Sequence, residues 1–344
     1  MLPESTLNTD QILRLVMFGH LHFQSLWAGI ELGIFETLHK KSPQSLEEIA
    51  AGAKLAKLPV KMVMANLCAL GLVTKADGSF SNAPLANQFL LQSSEENVIG
   101  VLRWQALIVY PGVEDYVRSL RENKNVGVER FKGAGSTLYE RLRSDPVLEK
   151  VFQDAMANMP SNRFLAPNFD LAGRRHLCDC GGGAGRNAIA LARHNPTLKI
   201  TIFDQATVCE RARANIKQAD LSNRITTSAG NFLEDSFPAG IDAILYSHIA
   251  SIWSEETNLQ VFRKACASLP SEGTFTIYNM VADDDQTGPL AVTCGSVYFQ
   301  ALATGEGFMF SSAEYEKMLK DAGFGRVSAK AGLPASHALI TATK

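Results

Sequence analysis

Four glycines fall within five positions, Gly181, Gly182, Gly183 and Gly185, directly after an apolar run that carries one acid, His176-Leu-Cys-Asp179-Cys180. A second apolar run, Lys199-Ile-Thr-Ile-Phe-Asp204, ends on another acid about one strand–helix–strand unit further on. A strand that turns straight into a helix needs backbone angles that glycine reaches freely, and glycine also lets a ligand lie against the main chain. The acid ending the second strand is placed to accept both hydroxyls of a ribose. The pattern predicts a pocket for a nucleoside-bearing cofactor. The bland alternative, a tight glycine turn that binds nothing, leaves the pairing of Asp179 with Asp204 without a purpose.

Spacing separates the possible nucleosides. A dinucleotide site wants G-x-G-x-x-G. Counting from Gly181, glycine recurs at 183, but Arg186 stands where the third is expected and Gly185 arrives one residue early. G-x-G-x-G after an Asp-bearing strand closely resembles the pattern of class I S-adenosylmethionine-dependent methyltransferases.

The elements that must position these residues divide near residue 165. From about 10 to 100 the reading is helical: Ile12, Leu15, Val16, Leu21 and Phe23 recur at helical spacing, continued from Trp27 to Leu38. Ser45-Leu-Glu-Glu48 is a capping box, and Pro59 to Leu70 is an apolar helix stopped by Gly71. Residues 72–81, with Asp77-Gly78 between two short runs, predict a hairpin. Three helices and a hairpin make a winged-helix unit. A DNA-reading role is disfavoured, because Lys61 is the only cation in 59–70. Residues 101–165 form a helical connector rich in large side chains. From 166 on, strands at 176–180, 199–204, 225–228, 241–247, 273–280, near 325–329 and 337–342 alternate with helices such as 312–322. That order predicts an α/β fold with a doubly wound, mostly parallel seven-stranded sheet. Ligands bind such sheets at the carboxyl ends of the strands, where Asp179, Asp204 and His248 fall.

Composition fits a soluble two-domain enzyme. The 344 residues carry 33 basic and 35 acidic side chains, a formal charge of −2, so nothing points to nucleic acid or another polyanion. The longest apolar stretch, 13–35, is interrupted by Arg14, His20, His22, Gln24 and Glu31, which argues against a membrane span, and no signal peptide precedes it. The six cysteines show no C-x-x-C pair and read as reduced thiols of a cytoplasmic protein; Cys178 and Cys180 alone make no metal site.

Taken together the chain resembles the dimeric small-molecule O-methyltransferases related to plant caffeate and to acetylserotonin O-methyltransferases. The marks are Glu31-Leu-Gly-Ile-Phe-Glu36, Phe152-Gln-Asp-Ala-Met156, the Asp179-to-Gly185 loop, Phe203-Asp204, Gly230-Asn-Phe232, Trp253-Ser-Glu-Glu256, Asp283-Asp-Asp285 and Glu314 to Phe324. The resemblance implies a winged-helix dimerisation domain over 1–100, a connector over 101–165 that contributes to the substrate pocket, and a cofactor domain over 166–344. It implies a homodimer, a small-molecule substrate, no nucleic acid and no membrane partner. The implied cofactor is S-adenosyl-L-methionine, with S-adenosyl-L-homocysteine as product. Gly181 and Gly183 would take its methionine and ribose and Asp204 its hydroxyls. Asn231, where the family usually has aspartate, would frame the adenine with Phe232. Asp179 and His248 complete that set.

The catalytic part departs from the pattern. Family members that methylate oxygen carry His-Asp-Trp, whose histidine deprotonates the acceptor; the matching residues are Ser251, Ile252 and Trp253. The glutamate that orients that histidine is matched by Asn279. A hydroxyl does not titrate near neutral pH, so Ser251 holds the catalytic position without supplying a base. Candidates for proton removal are His248, Glu306 and, from the first helix, one of His20 and His22, which cannot share a face. Each has a structural alternative: a backbone hydrogen bond for His248 and a solvated loop for Glu306. Trp104, Met156, Trp253, Tyr298, Phe299 and Met309 are candidates to line the acceptor chamber, or else ordinary core. The reading is methyl transfer to oxygen or carbon of a small aromatic or secondary-metabolite acceptor, driven by proximity. The alternative is an enzyme of the same fold that keeps the cofactor for a rearrangement, hydroxylation or decarboxylation. No metal is expected.

Overall fold

A computed structural model describes residues 8–159 and 161–344. The chain divides into two compact units, with the division between Leu107 and Ile108. The stretch read as a connector is therefore shared: 101–107 belong to the first unit and the rest to the second.

In the first unit, helix Thr9–Glu31 starts at a capping box in which Asn8 and Gln11 bond reciprocally. It does not run on to Leu38. The chain breaks at Gly33, whose φ of 65° no β-carbon-bearing residue adopts cheaply, and resumes as helix Ile34–Lys40. The sequence periodicity continues across this break because both helices bury apolar residues in one core. Strand β1 (Gln44–Ser45) leads into helix Leu46–Ala53, capped by Ser45 and Glu48 as the capping box predicts. Helix Lys57–Ala69 begins two residues before the predicted start, and the added Lys57 pairs with Glu47. Strands β2 (Val73–Ala76) and β3 (Ser79–Asn82) form the hairpin, with Asp77 and Gly78 both at positive φ. Strand β1, which the sequence did not signal, adds to the far side of β3. Ile34, Phe35, Leu38, Ile49, Met64 and Leu67 fill this core. Outside it, helix Thr9–Glu31 leaves Leu13, Val16, Met17, Phe18 and Leu21 about half exposed or more.

In the second unit, strands β4 (His176–Cys180), β5 (Lys199–Asp204), β6 (Ile225–Ala229), β7 (Ala243–Ser247), β8 (Thr274–Met280), β9 (Arg326–Leu333) and β10 (His337–Thr343) form one sheet in the order β6-β5-β4-β7-β8-β10-β9. The first five are parallel; β10 is antiparallel to both β8 and β9. The near-continuous burial of β4, β5 and β7 is what a sheet covered on both faces requires. One face packs Cys178, Cys180, Tyr246, Phe262, Phe275 and Tyr315 together; the other packs Leu177, Leu191, Ile200, Ile202, Leu245 and Tyr278. The order reverses on either side of β4, so the crevice of an open α/β sheet opens where β4 ends, at the glycine loop.

Candidate active site

The loop after β4 carries Gly181, Gly183 and Gly185 in the left-handed region. Gly185 opens helix Arg186–His194, and a side chain there would reach within 2.9 Å of Ile202 Cδ1, so glycine lets that helix lie close against β5. Gly183, by contrast, faces open space. Its N–H donates to Asp204 Oδ2 at 2.9 Å, while the N–H of Gln205 donates to Oδ1 at 2.7 Å. Burial raises the Asp204 pKa, and these two N–H bonds oppose the rise. Each oxygen keeps a lone pair free. Asp179 is wholly buried and neither oxygen has a partner among the described residues. Burial first, and then the charge of Asp204, push its carboxyl up to about 7. A β-carbon on Gly182 would lie 2.6 Å from that carboxyl.

Beyond Asp204 stands an aromatic wall. The Phe232 ring meets Tyr246 edge-on at 5.7 Å and Trp253 at 6.5 Å. Trp253 thus joins the residue read as framing adenine. Asn231 spends its side-chain oxygen on the N–H of Leu233 at 3.1 Å, and its own N–H donates to Asp235 Oδ2 at 2.8 Å. Lys264, which sequence reasoning missed, holds this loop by donating to the carbonyls of Phe232 and Asp235 at 2.5 and 2.7 Å. A lone lysine inside helix Glu255–Ser268 gives no sequence signal of that role.

Where an acid–base pair is expected, the structure holds neither an acid nor a base. Ser251 is buried in the tight turn Ala250–Ile252. Asn279, also buried, donates from Nδ2 to the Tyr315 hydroxyl at 3.1 Å and accepts the Met280 N–H on Oδ1 at 3.0 Å. The turn itself is held from three sides. Asn258 Nδ2 donates to the carbonyls of Ala250 and Trp253, Thr304 Oγ1 donates to that of Ile252, and Gly307 lies so close that a β-carbon would sit 2.4 Å from the Ser251 oxygen.

The candidate bases are scattered. Glu306 is exposed and accepts from Thr257 Oγ1 at 3.2 Å. His20 is exposed, and His22 Nδ1 lies 2.9 Å from Asn66 Oδ1. His248 follows β7 directly with φ of 57°, and burial, aided by neighbouring His337, lowers its pKa to about 3. Such an imidazole is neutral at any ordinary pH and a poor proton acceptor. Of the acceptor-chamber candidates, Met309 and Phe299 share a small apolar cluster with Ala282 and Val292, and the Tyr298 ring meets Phe299 edge-on at 5.2 Å. Met156 is half-buried on helix Pro146–Ala157. Trp104 is buried and lies in the first unit.

Residues 110–325 match the model of the O-methyltransferase domain, and residues 15–92 match the O-methyltransferase dimerisation domain. The chain belongs to the O-methyltransferase family. Among relatives of this methyltransferase, L-tyrosine C(3)-methyltransferase of Streptomyces lavendulae is 34% identical over 96% of the chain and 91% of the relative. The 3-hydroxy-5-methyl-1-naphthoate 3-O-methyltransferase of Streptomyces sahachiroi is 30% identical over 93% and 91%. The apo crystal structure of the S-adenosylmethionine-dependent methyltransferase SibL superposes with a TM-score of 0.84 at 35% identity, covering 97% of this chain and 98% of that one. Human N-acetylserotonin methyltransferase in complex with S-adenosylmethionine shares the fold, with a TM-score of 0.86 at 22% identity over 100% and 99%. The methyltransferase uses S-adenosylmethionine, and its own geometry fits that molecule: open space over Gly183, spare lone pairs on Asp204, and an aromatic wall beyond. Its dimerisation domain makes it a homodimer. Among the described residues no helix is long and apolar enough to cross a membrane, and no group of three or more His, Cys, Asp or Glu is placed to hold a metal.

Proposed function

We propose that this methyltransferase places a methyl group on a ring carbon of a phenolic aromatic, the type of reaction named for its relative L-tyrosine C(3)-methyltransferase. The observation that carries the reading is the bond from Asn279 to Tyr315. Methylating a neutral phenol oxygen calls for a base poised near operating pH, and here the residues at the dyad positions are a buried amide committed to a tyrosine and a buried serine. A phenol ring carbon is nucleophilic without prior deprotonation. When bound, the cofactor supplies an electrophilic methyl on a sulfonium. The protein's part is to hold the ring carbon in line with it and to keep water away, tasks suited to the apolar groups of Phe299, Met309 and Tyr298. With the cofactor bound, the carbon–carbon bond would form as its sulfur–carbon bond breaks, and the ring proton would pass to water that enters once the methyl has been transferred. The free thiols of all six cysteines fit a reducing, cytoplasmic setting.

The test is incubation with methyl-labelled cofactor and a panel of phenols that includes L-tyrosine. Carbon NMR of the product is expected to show an aryl-methyl carbon. A methoxy carbon would overturn the ring-carbon assignment, and label that stays on the cofactor with every acceptor would overturn methyl transfer itself.

A further inference from the structure

Two imidazoles, His337 buried and His248 half-buried, meet at the carboxyl end of the sheet. His248 follows β7, its main-chain N–H bonded to the Tyr278 carbonyl at 2.8 Å, and His337 begins β10 opposite Met280. Their ring centres are 5.0 Å apart at 71°, and Tyr278 lies 5.3 Å from the first ring and 4.9 Å from the second. His337 is 1% exposed. Its Nδ1 lies 2.8 Å from the Ala335 carbonyl, which can only accept, so Nδ1 carries the proton and Nε2 presents a lone pair. That Nε2 is buried and has no partner among the described residues, and the same holds for Nε2 of His248. Asn187 donates from Nδ2 at 3.2 Å to Oγ of Ser247, the residue before His248, and its Oδ1 is buried without a donor among the described residues.

An unsatisfied buried acceptor costs about 1–3 kcal/mol. Such atoms are rare in natural folds and call for a partner that the chain itself does not supply. The backbone here is strained as well: His248, Ala335 and Ser336 all hold positive φ, a conformation that non-glycine residues adopt at a cost and that gathers at ligand sites. Burial lowers both imidazole pKa values, with His337 adding to the effect at His248, so His337 Nε2 offers a lone pair and both rings offer aromatic faces without a positive charge. A carboxylate or phosphate has nothing to bind to in this group. A group with several N–H donors and a positive charge matches it on both counts, through hydrogen bonds and through the aromatic faces.

We infer that His248 and His337 form a recognition site for an alkylammonium group of a molecule in the active site. The inference rests on the methyltransferase reading above. Two molecules carry that chemistry: an acceptor with an amino side chain, and the cofactor through the amino group of its methionine part.

Titration calorimetry of the full-length protein separates the sources. One pair of ligands is tyramine and para-ethylphenol, which differ by the amine. The other is S-adenosylhomocysteine and methylthioadenosine, of which only the first has an amino acid end. His337→Leu is expected to weaken the amine-bearing member of one pair by about tenfold or more while leaving its amine-free partner unchanged. Loss within the phenol pair assigns the site to the acceptor, and loss within the nucleoside pair assigns it to the cofactor. His248→Asn, which tolerates the left-handed backbone, is the second variant and is expected to show the same selective loss. Wild-type affinities for all four ligands in both variants, or equal loss in both members of a pair, would overturn the site. So would tight binding of zinc by the wild type that His337→Leu abolishes. If neither phenol binds and the nucleoside pair is unmoved, this inference falls while methyl transfer stands on its labelled-product assay.

Discussion

A carboxyl group with no hydrogen bond to either oxygen, buried at the end of the central strand, gives the protein a distinctive pH response. Asp179 titrates near 7 in the fold and near 4 when unfolded, so between those values the unfolded chain has released a proton that the folded chain still holds. Stability falls as pH rises through that window, by roughly 4 kcal/mol if the shift is fully expressed. His248 acts in the opposite sense: its folded pKa lies below its unfolded one, so its contribution is lost as pH falls from about 6.5 toward 3. Asp179→Asn isolates the first effect. Urea denaturation of the cofactor-free variant is expected to show a stability gain over wild type that grows from pH 5 to pH 7.5; a gain that stays constant would refute the assignment. At this scale the sequence was generous with the cofactor loop and poor with the chemistry. Glycine and acid spacing pointed to Asp179, Gly183 and Asp204, because backbone angles and ribose hydroxyls restrict residue type. His337 and Lys264 were invisible, since what they do depends on partners 89 and 32 positions away, His248 and the Phe232 carbonyl.

Among elements, the turn Ala250–Ile252 and the loop that presses on it form the tightest joint near the chemistry. Gly307→Ala forces a methyl group against the carbonyls of Ser251 and Ile252, 2.4 and 2.6 Å from the new carbon, where only backbone is present to yield. Overpacking of that kind is expected to cost about 2–3 kcal/mol in chemical denaturation and to lower turnover, with cofactor affinity unchanged in calorimetry. Wild-type stability in the variant would show that the joint is loose. Periodicity and capping predicted most elements here, and the departures have physical causes. The helix read through to Leu38 breaks at Gly33 because left-handed backbone leaves no mark on apolar spacing. The two-residue β1 went unseen because its pairing to β3 is long-range.

For the whole molecule, the apolar face of helix Thr9–Glu31 has no cover among the described residues of its own chain. In a symmetric dimer that face meets a copy of itself, and a charge placed on it faces its own image. Val16→Lys, at a position 71% exposed in the single chain, is expected to halve the mass seen by light scattering at micromolar concentration while each chain stays folded. An unchanged dimer would place the contact elsewhere. The seven strands and their mostly parallel arrangement were readable from the alternation of apolar runs; the placement of β10 between β8 and β9 was not, because strand order is decided by packing of the whole sheet.

Helix Glu255–Ser268 has a divided duty. From its middle, Lys264 grips the loop of Phe232, while its first turns, through Asn258, fix the segment that bears Ser251 and Ile252. One helix thus braces the Phe232 loop and the turn Ala250–Ile252 from separate points along its length. Side chains of the turn can therefore change while Lys264 keeps its hold on the carbonyls of Phe232 and Asp235.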